Sequence, residues 1–376
     1  MVRFLHTSDW QIGRQYGVFE PDDALAIAEA RIETVNRIAL LAHDRSVDAV
    51  LVAGDVFDSQ TLSDKTLRRL FNALEPFSGP WIMIPGNHDA ALPESIWCLA
   101  RRIGCIPSNV TWFNEPGCQP FPELRLAILA APLTQRQTHQ DVTAFFDAQE
   151  SDPTFIRVGL AHGSLQGILP DQVDSPNPIA SNRQDTARLD YLALGDWHGV
   201  LQVGTRTWYS GTPEQDRFKG NVPGYTLEVD IPGPGATPEV IQHKVGRFQW
   251  QELAADLRLA SDLEGLAERL SAWKESDVIR LRLAGQLDLD AHARLELILG
   301  TAHGRTRSLE VDRSGLRITP TAEDLQSLKA DGYLGEVVTN LKARQEGSDG
   351  EASAIATQAL VELASLLRDR TQGVKA

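Results

Sequence analysis

Five short stretches of this chain end an apolar run with aspartate, asparagine, glutamine or histidine. They are Asp9-Trp10-Gln11, Gly54-Asp55-Val56-Phe57-Asp58, Gly86-Asn87-His88-Asp89, Ala161-His162-Gly163 and Gly195-Asp196-Trp197-His198. Such side chains hold metal ions. Asp9 with Gln11, and Asp196 with His198, are two residues apart, so on extended backbone each pair falls on one face and can approach one ion. Glycines beside Asp55 and Asn87 let the backbone come close to a site. A single Gly-Asn-His-Asp is more often a turn, and a lone aspartate after a strand more often a helix cap. Five in series instead suggest ligands converging where the carboxyl ends of adjacent strands meet.

The apolar runs that must position them are short: Arg3 to His6, Ala49 to Ala53, Trp81 to Ile84, Leu124 to Ala130, Ile156 to Ala161, Tyr191 to Leu194, Thr207 to Tyr209 and Tyr225 to Val229. They read as strands buried on both faces. Between the first two, Leu25, Ala28, Ile32, Val35, Ile38, Ala39 and Ala42 recur at helical spacing after Pro21 and Asp22, and a second helix is predicted from Asp64 to Leu74. Alternating strands and helices predict an α/β layered domain, two sheets packed inside helices, over residues 1–245. Val240 to Val245 resumes a strand after a turn-rich loop. Residues 246–320 read as a small α+β domain: Leu253 to Trp273 helical, Val278 to Leu283 a strand, Ala291 to Gly300 helical and Ser308 to Ile318 a strand pair. Residues 321–376 form a helical tail, with Leu360, Leu363 and Leu367 on one face of a helix from Ile355 to Leu367.

A chain of 376 residues, 42% of them hydrophobic, can bury a full core. The N-terminus lacks a basic stretch followed by an apolar run, and no apolar run approaches the ~18 residues a membrane span needs, so no membrane association is expected and the cytoplasm is the expected location. Cys98, Cys105 and Cys118 form no Cys-x-x-Cys pair, which suits buried thiols in a reducing compartment. The net charge of -15 argues against a protein that grips duplex DNA through phosphate contacts alone. His6, His43, His139, His243, His292 and His303 lie outside the motifs and read as surface or satisfied core residues.

Together the five motifs resemble the calcineurin-like metallophosphoesterases, and within them the SbcD-type DNA-repair nucleases. His6-Thr7-Ser8-Asp9-Trp10, Tyr191-Leu192-Ala193-Leu194-Gly195 and Tyr209-Ser210-Gly211-Thr212-Pro213-Glu214 match that branch as well. The resemblance implies two divalent ions, one held by Asp9, Gln11, Asp55 and His198, the other by Asp55, Asn87, His162 and Asp196. Asp55 bridges them, and a bridging hydroxide attacks the phosphodiester in line. It implies that His88 faces the leaving oxygen, as general acid or as stabiliser of the developing charge, and that Asp58 is the carboxylate that orients it. The segment to about residue 320 would be a capping domain.

Two positions depart from the family pattern, which has histidine where this chain has Gln11 and Asp196. Oxygen donors in place of nitrogen favour manganese, with magnesium or cobalt as substitutes, over zinc. Gln11 has a second reading, bonded to a metal-held water rather than to the ion. Arg14 and Tyr16 are candidates for a phosphate contact and a base stack, or for an ordinary solvated loop; Arg183, Arg188, Arg217 and Lys219 are weaker candidates. The expected function is a manganese-dependent endonuclease on single-stranded or looped DNA in repair, with a helicase or ATPase partner. The alternatives are a phosphodiesterase on nucleotides or cyclic phosphates, and a nuclease-like regulatory subunit with weak metal binding.

Overall fold

The computed structural model describes residues 1–168, 176–218, 220–318, 333–345, 347 and 350–372. The chain divides into two compact units, Met1–Gln249 and Trp250–Ala376.

The first unit is built on two six-stranded sheets. In one, β1 (Val2–Thr7), β2 (Ala49–Ala53), β3 (Trp81–Ile84) and β4 (Val110–Trp112) run parallel in that order. β13 (Tyr225–Ile231) and β14 (Glu239–Lys244) extend it antiparallel beyond β1. In the other, β6 (Leu126–Ala131), β7 (Ile156–His162), β10 (Tyr191–Gly195) and β12 (Thr207–Tyr209) form the parallel centre, and β5 (Gly117–Phe121) and β11 (Leu201–Gln202) are antiparallel edges. A two-stranded pair, β8 (Ser164–Leu165) with β9 (Pro178–Ile179), stands apart.

Alternation along each strand explains why these runs are apolar at most positions. Phe4, Leu51, Ile82 and Ile84 turn to one side and meet Ile128, Val158, Leu160, Tyr191 and Ala193 of the other sheet, forming the layer between the sheets. Leu5, Val50, Val52, Trp81 and Met83 turn the other way, into a second core with Val35, Ile38, Leu67, Phe71 and Trp97. Helix α1 (Pro21–Asp44) starts with Pro21 and carries Asp22 and Asp23 in its first turn, where the helix dipole favours them. Its buried positions Ile27, Ala30, Arg31, Thr34, Val35, Ile38 and Ala42 keep the three-four spacing of one helical face. Helix α2 (Asp64–Asn72) is capped by the Ser63 hydroxyl, which accepts from the Thr66 N–H at 3.1 Å. His6 ties the sheets together: its Nδ1 lies 3.0 Å from the Tyr191 hydroxyl and its Nε2 3.2 Å from the Leu194 carbonyl.

In the second unit β15 (Gln249–Leu257, all but its first residue), β16 (Asp277–Leu287) and β17 (Ser308–Ile318) form a sheet accompanied by α5 (Ala260–Ser271) and α6 (Leu289–His303). Two expectations are corrected here. The stretch from Leu253 is a strand as far as Leu257, because Leu253, Ala255 and Leu257 face the core at a period of two; the helix starts only where the Asp262 carboxylate accepts from the Leu259 N–H at 2.8 Å. Ser308–Ile318 is one strand parallel to β16 rather than a pair. The pairing continues through a bulge, with Arg282 paired to Asp312 but Ala284 to Gly315.

The tail helix spans Gly350–Gln372, with Leu360 buried and Leu363 half-buried; the Leu367 side chain lies outside those described. A helix at Tyr333–Gln345 precedes it. The thiols are less buried than expected, Cys98 standing exposed on α3 (Ile96–Arg102).

Candidate metal centre

All five motifs sit at carboxyl ends of parallel strands: Asp9 beyond β1, Asp55 beyond β2, Asn87 beyond β3, His162 closing β7, and Asp196 and His198 beyond β10. The loops after β1 and β2 continue as a paired ladder. The Asp9 N–H donates to the Gly54 carbonyl at 3.0 Å and the Gln11 N–H to the Asp55 carbonyl at 2.9 Å. To place these side chains the backbone takes left-handed conformations at Asp9, Gln11, Asp55 and Asp196, with φ of 53°, 44°, 52° and 99°. Non-glycine residues there are uncommon and cluster at functional sites. Gly54 and Gly86 are glycine because a Cβ would strike the His162 ring at the first and the Asp55 carboxylate at the second.

Asp9, Asp55 and His162 each offer a ligand atom within 4.8 Å of the others, all three residues being buried. His162 Nε2 lies 3.0 Å from Asn87 Oδ1, 3.6 Å from Asp55 Oδ1 and 3.7 Å from Asp196 Oδ1. Donors around one ion at bond lengths of about 2.0–2.2 Å stand roughly 3–4 Å apart, so these residues fit a divalent cation. The His162 Nδ1–H donates to the Ala53 carbonyl at 2.8 Å, leaving Nε2 to face the carboxylates. His198 is fixed differently: its Nδ1 lies 3.1 Å from the Asp216 carboxylate, and its Nε2 is 3.9 Å from Asp9 Oδ1.

The electrostatics also call for a cation. Burial, moderated by His198 and His162, lifts the Asp9 carboxyl to about 6. Burial alone would lower His162, but Asp55, Asp9 and Asp196 outweigh it and hold the imidazole up at about 9. The cluster therefore retains the His162 proton at neutral pH as partial relief of its negative charge.

Three residues depart from their expected geometry. Gln11 turns its oxygen away: Oε1 accepts from Arg14 at 2.5 Å, and Nε2 faces His198 Nε2 at 3.2 Å. The amide nitrogen, which does not ligate metals, is what this side chain presents to His198. Asp58 lies beside His88, but His88 Nδ1 bonds the Asp58 main-chain carbonyl at 2.8 Å, whereas the carboxylate is 3.9 Å away and faces Arg14 at 3.7 Å. Tyr16 is turned inward, its hydroxyl accepting from Arg31 Nε at 2.7 Å, so its buried ring offers no face for a base. Arg14 and Arg217 border the centre. Arg183, opening the short helix α4 (Arg183–Thr186), and Arg188 pair elsewhere, with Asp141 and Glu150, and Lys219 lies outside the described residues.

Two supporting residues are given no role by the motifs. Asp216 aims His198 and is held ionised, far below the usual carboxylate range: burial opposes this, but His198, Arg31 and Arg217 prevail. Its only sequence signal is an acid two residues past Glu214, followed by an arginine. Asp89, fully buried, accepts from the Gly86 N–H at 2.6 Å, the Val56 N–H at 3.1 Å and Trp97 Nε1 at 3.2 Å, locking the second motif to the third.

Residues 2–227, more than half of the chain, match the family model of the calcineurin-like phosphoesterases. The chain belongs to that family, and it is a hydrolase of phosphoester bonds. It is 24% identical over 336 residues to the D component of the nuclease SbcCD of Bacillus subtilis, covering 78% of this chain and 82% of that one. The Escherichia coli K12 protein of the same name is 35% identical over 249 residues, 56% of this chain and 60% of its own length. DNA double-strand break repair protein Mre11 of Aeropyrum pernix is 27% identical over 277 residues, 68% of this chain and 64% of that one.

Proposed function

We propose that this protein is a metal-dependent DNA phosphodiesterase, and specifically a manganese-dependent endonuclease on single-stranded or looped DNA, working in repair with a helicase or ATPase partner. One observation carries the reading: buried Asp9, Asp55 and His162 share one ligand-sized space in a chain whose relatives are named as nucleases. Asn87, Asp196 and His198 complete the ligand set we assign, whose oxygen-rich character favours manganese. Bound there, divalent ions would neutralise phosphate charge and lower the pKa of water.

The protein's own groups do the rest. His88 has Nδ1 tied to the Asp58 carbonyl, so Nε2, 3.9 Å from Asp55 Oδ2, is the free nitrogen on the side of the centre. As imidazolium it gives a proton to the oxygen leaving phosphorus when the P–O bond breaks. We assign residues 1–245 as the catalytic domain, 246–320 as the cap and 321–376 as a helical tail. Among the described residues no helix is long and apolar enough to cross a membrane.

A net charge of -15 favours a second reading, hydrolysis of nucleotides or cyclic phosphates. Circular single-stranded DNA with Mn²⁺, Mg²⁺, Co²⁺ or Zn²⁺ separates the two. Linearised circles, best with Mn²⁺, are expected; intact circles beside rapid hydrolysis of nucleotides would favour the small substrate. Fastest cutting with Zn²⁺ would overturn the manganese assignment.

A further inference from the structure

Gln11 is the residue at which the metal-site reading and the observed geometry part. It is buried, with 1% of its surface exposed, and its main chain is fixed by the Asp55 carbonyl, so its side chain has little freedom. An arginine is donor only; Oε1 at 2.5 Å from Arg14 NH1 must be the acceptor. That assignment leaves the Nε2 amide, not the oxygen, facing His198 Nε2 at 3.2 Å.

Arg14 is held from three sides. Besides Gln11, its NH1 lies 3.2 Å from Asp216 Oδ2 and 3.7 Å from Asp58 Oδ1, and its side chain remains 27% exposed. Arg217 stands nearby, with Nε 3.0 Å from Asp216 Oδ1 and NH2 3.2 Å from His198 Nε2, and is 36% exposed. Buried Arg31 backs the same carboxylate at 3.8 Å. In a chain of net charge -15, three guanidinium groups converge on this one edge of the centre. Two of them reach solvent, and their geometry is set before any substrate arrives. Preset guanidinium forks suit phosphate oxygens.

We propose that Gln11 is a positioning residue for Arg14 rather than a metal ligand, and that Arg14 binds the phosphate next to the one being cleaved. The substrate class is then a phosphodiester with a neighbouring phosphate, as in an oligonucleotide, and the inference rests on the DNA reading above. Histidine at position 11 would offer one nitrogen to a metal and leave Arg14 without its amide acceptor, held by carboxylates alone. Glutamine trades that nitrogen for a fixed positive charge facing the substrate.

Two measurements on the full-length protein test this. In calorimetric titration of the metal-stripped protein with Mn²⁺, Gln11→Ala is expected to change Kd by less than threefold; a larger loss would identify Gln11 as a ligand and overturn the proposal. In cleavage of an oligonucleotide across a salt series, Arg14→Ala is expected to raise KM about tenfold and to reduce the log–log salt slope by about one, the signature of one lost phosphate contact. Gln11→Ala should reproduce most of that change, and Gln11→Glu, which keeps an acceptor for Arg14, should retain the wild-type slope. A wild-type slope in Arg14→Ala overturns the phosphate contact; a wild-type slope in Gln11→Ala overturns the positioning role. Failure of the DNA reading itself would appear earlier, as wild-type protein that hydrolyses bis-p-nitrophenyl phosphate but leaves DNA intact.

Discussion

The two histidine sides of the centre are held by different means. His162 is fully buried and aimed by a backbone carbonyl, that of Ala53, so its orientation follows from the sheets themselves. His198 is aimed by a side chain, Asp216, which is itself held by arginines 14, 31 and 217. One side is fixed by the fold; the other can be retuned by substitution without disturbing a strand. Both sequence departures from the family pattern bear on this contrast. Asp196 adds a carboxylate beside His162, and Gln11 adds an amide beside His198.

The contrast is tested most severely at His162. His162→Ala should lower turnover of bis-p-nitrophenyl phosphate by about a thousandfold or more if, as proposed, it removes a metal ligand, and elemental analysis should find less metal per chain. Retained activity would mean the His162 side is not the essential one.

Proton displacement gives the next largest effect. His162 holds its proton up to about 9 and Asp9 up to about 6, and an incoming cation must expel both. Metal affinity must therefore rise with pH, first as Asp9 loses its proton and then steadily up to about 9. From pH 7 to 9 the apparent Kd for Mn²⁺ should tighten by up to about a hundredfold, tenfold per unit for one displaced proton. A flat calorimetric profile would show that neither proton is in the way.

Asp216→Asn should cost about ten- to a hundredfold in Mn²⁺ affinity, the usual effect of losing the group that orients a ligating histidine. If the fold alone held His198, affinity would stay put. Asp196→His should act least, shifting preference from Mn²⁺ toward Zn²⁺ by about tenfold and the pH optimum downward, because one negative charge leaves the ligand set. Unchanged metal preference would remove Asp196 from that set.

The legible parts of this molecule are those in which local chemistry and final position agree. Strands β2, β3 and β10 are apolar throughout, and β1 and β7 mostly so, because both faces are covered, one by the facing sheet and one by an outer layer, so their residues declare them. The edges carry no such signal: β5 holds a proline and no fully buried residue, and β11 is two residues long, so neither stands out in the sequence. β15 reads as helix because Glu252, Ala254 and Ala255 favour helix locally, whereas the alternation of Leu253, Ala255 and Leu257 settles it as a strand. At the centre, residue identity is readable but atom identity is not. Nothing in the sequence says that His88 meets the carbonyl of Asp58 rather than its carboxylate, or that Arg31, 21 residues on from Trp10, captures the Trp10 carbonyl and the Tyr16 hydroxyl.

The left-handed backbone at Asp9, Gln11, Asp55 and Asp196 bears on how such a protein can change. Each of these residues sits where an L-amino acid is disfavoured by about 1–2 kcal/mol and glycine is not. Folding and chemistry thus pull in opposite directions at these four positions: relief of the backbone would favour glycine, while the centre needs a side chain. Side chains stand at these positions against the preference of the backbone, which is what a centre assembled from them requires.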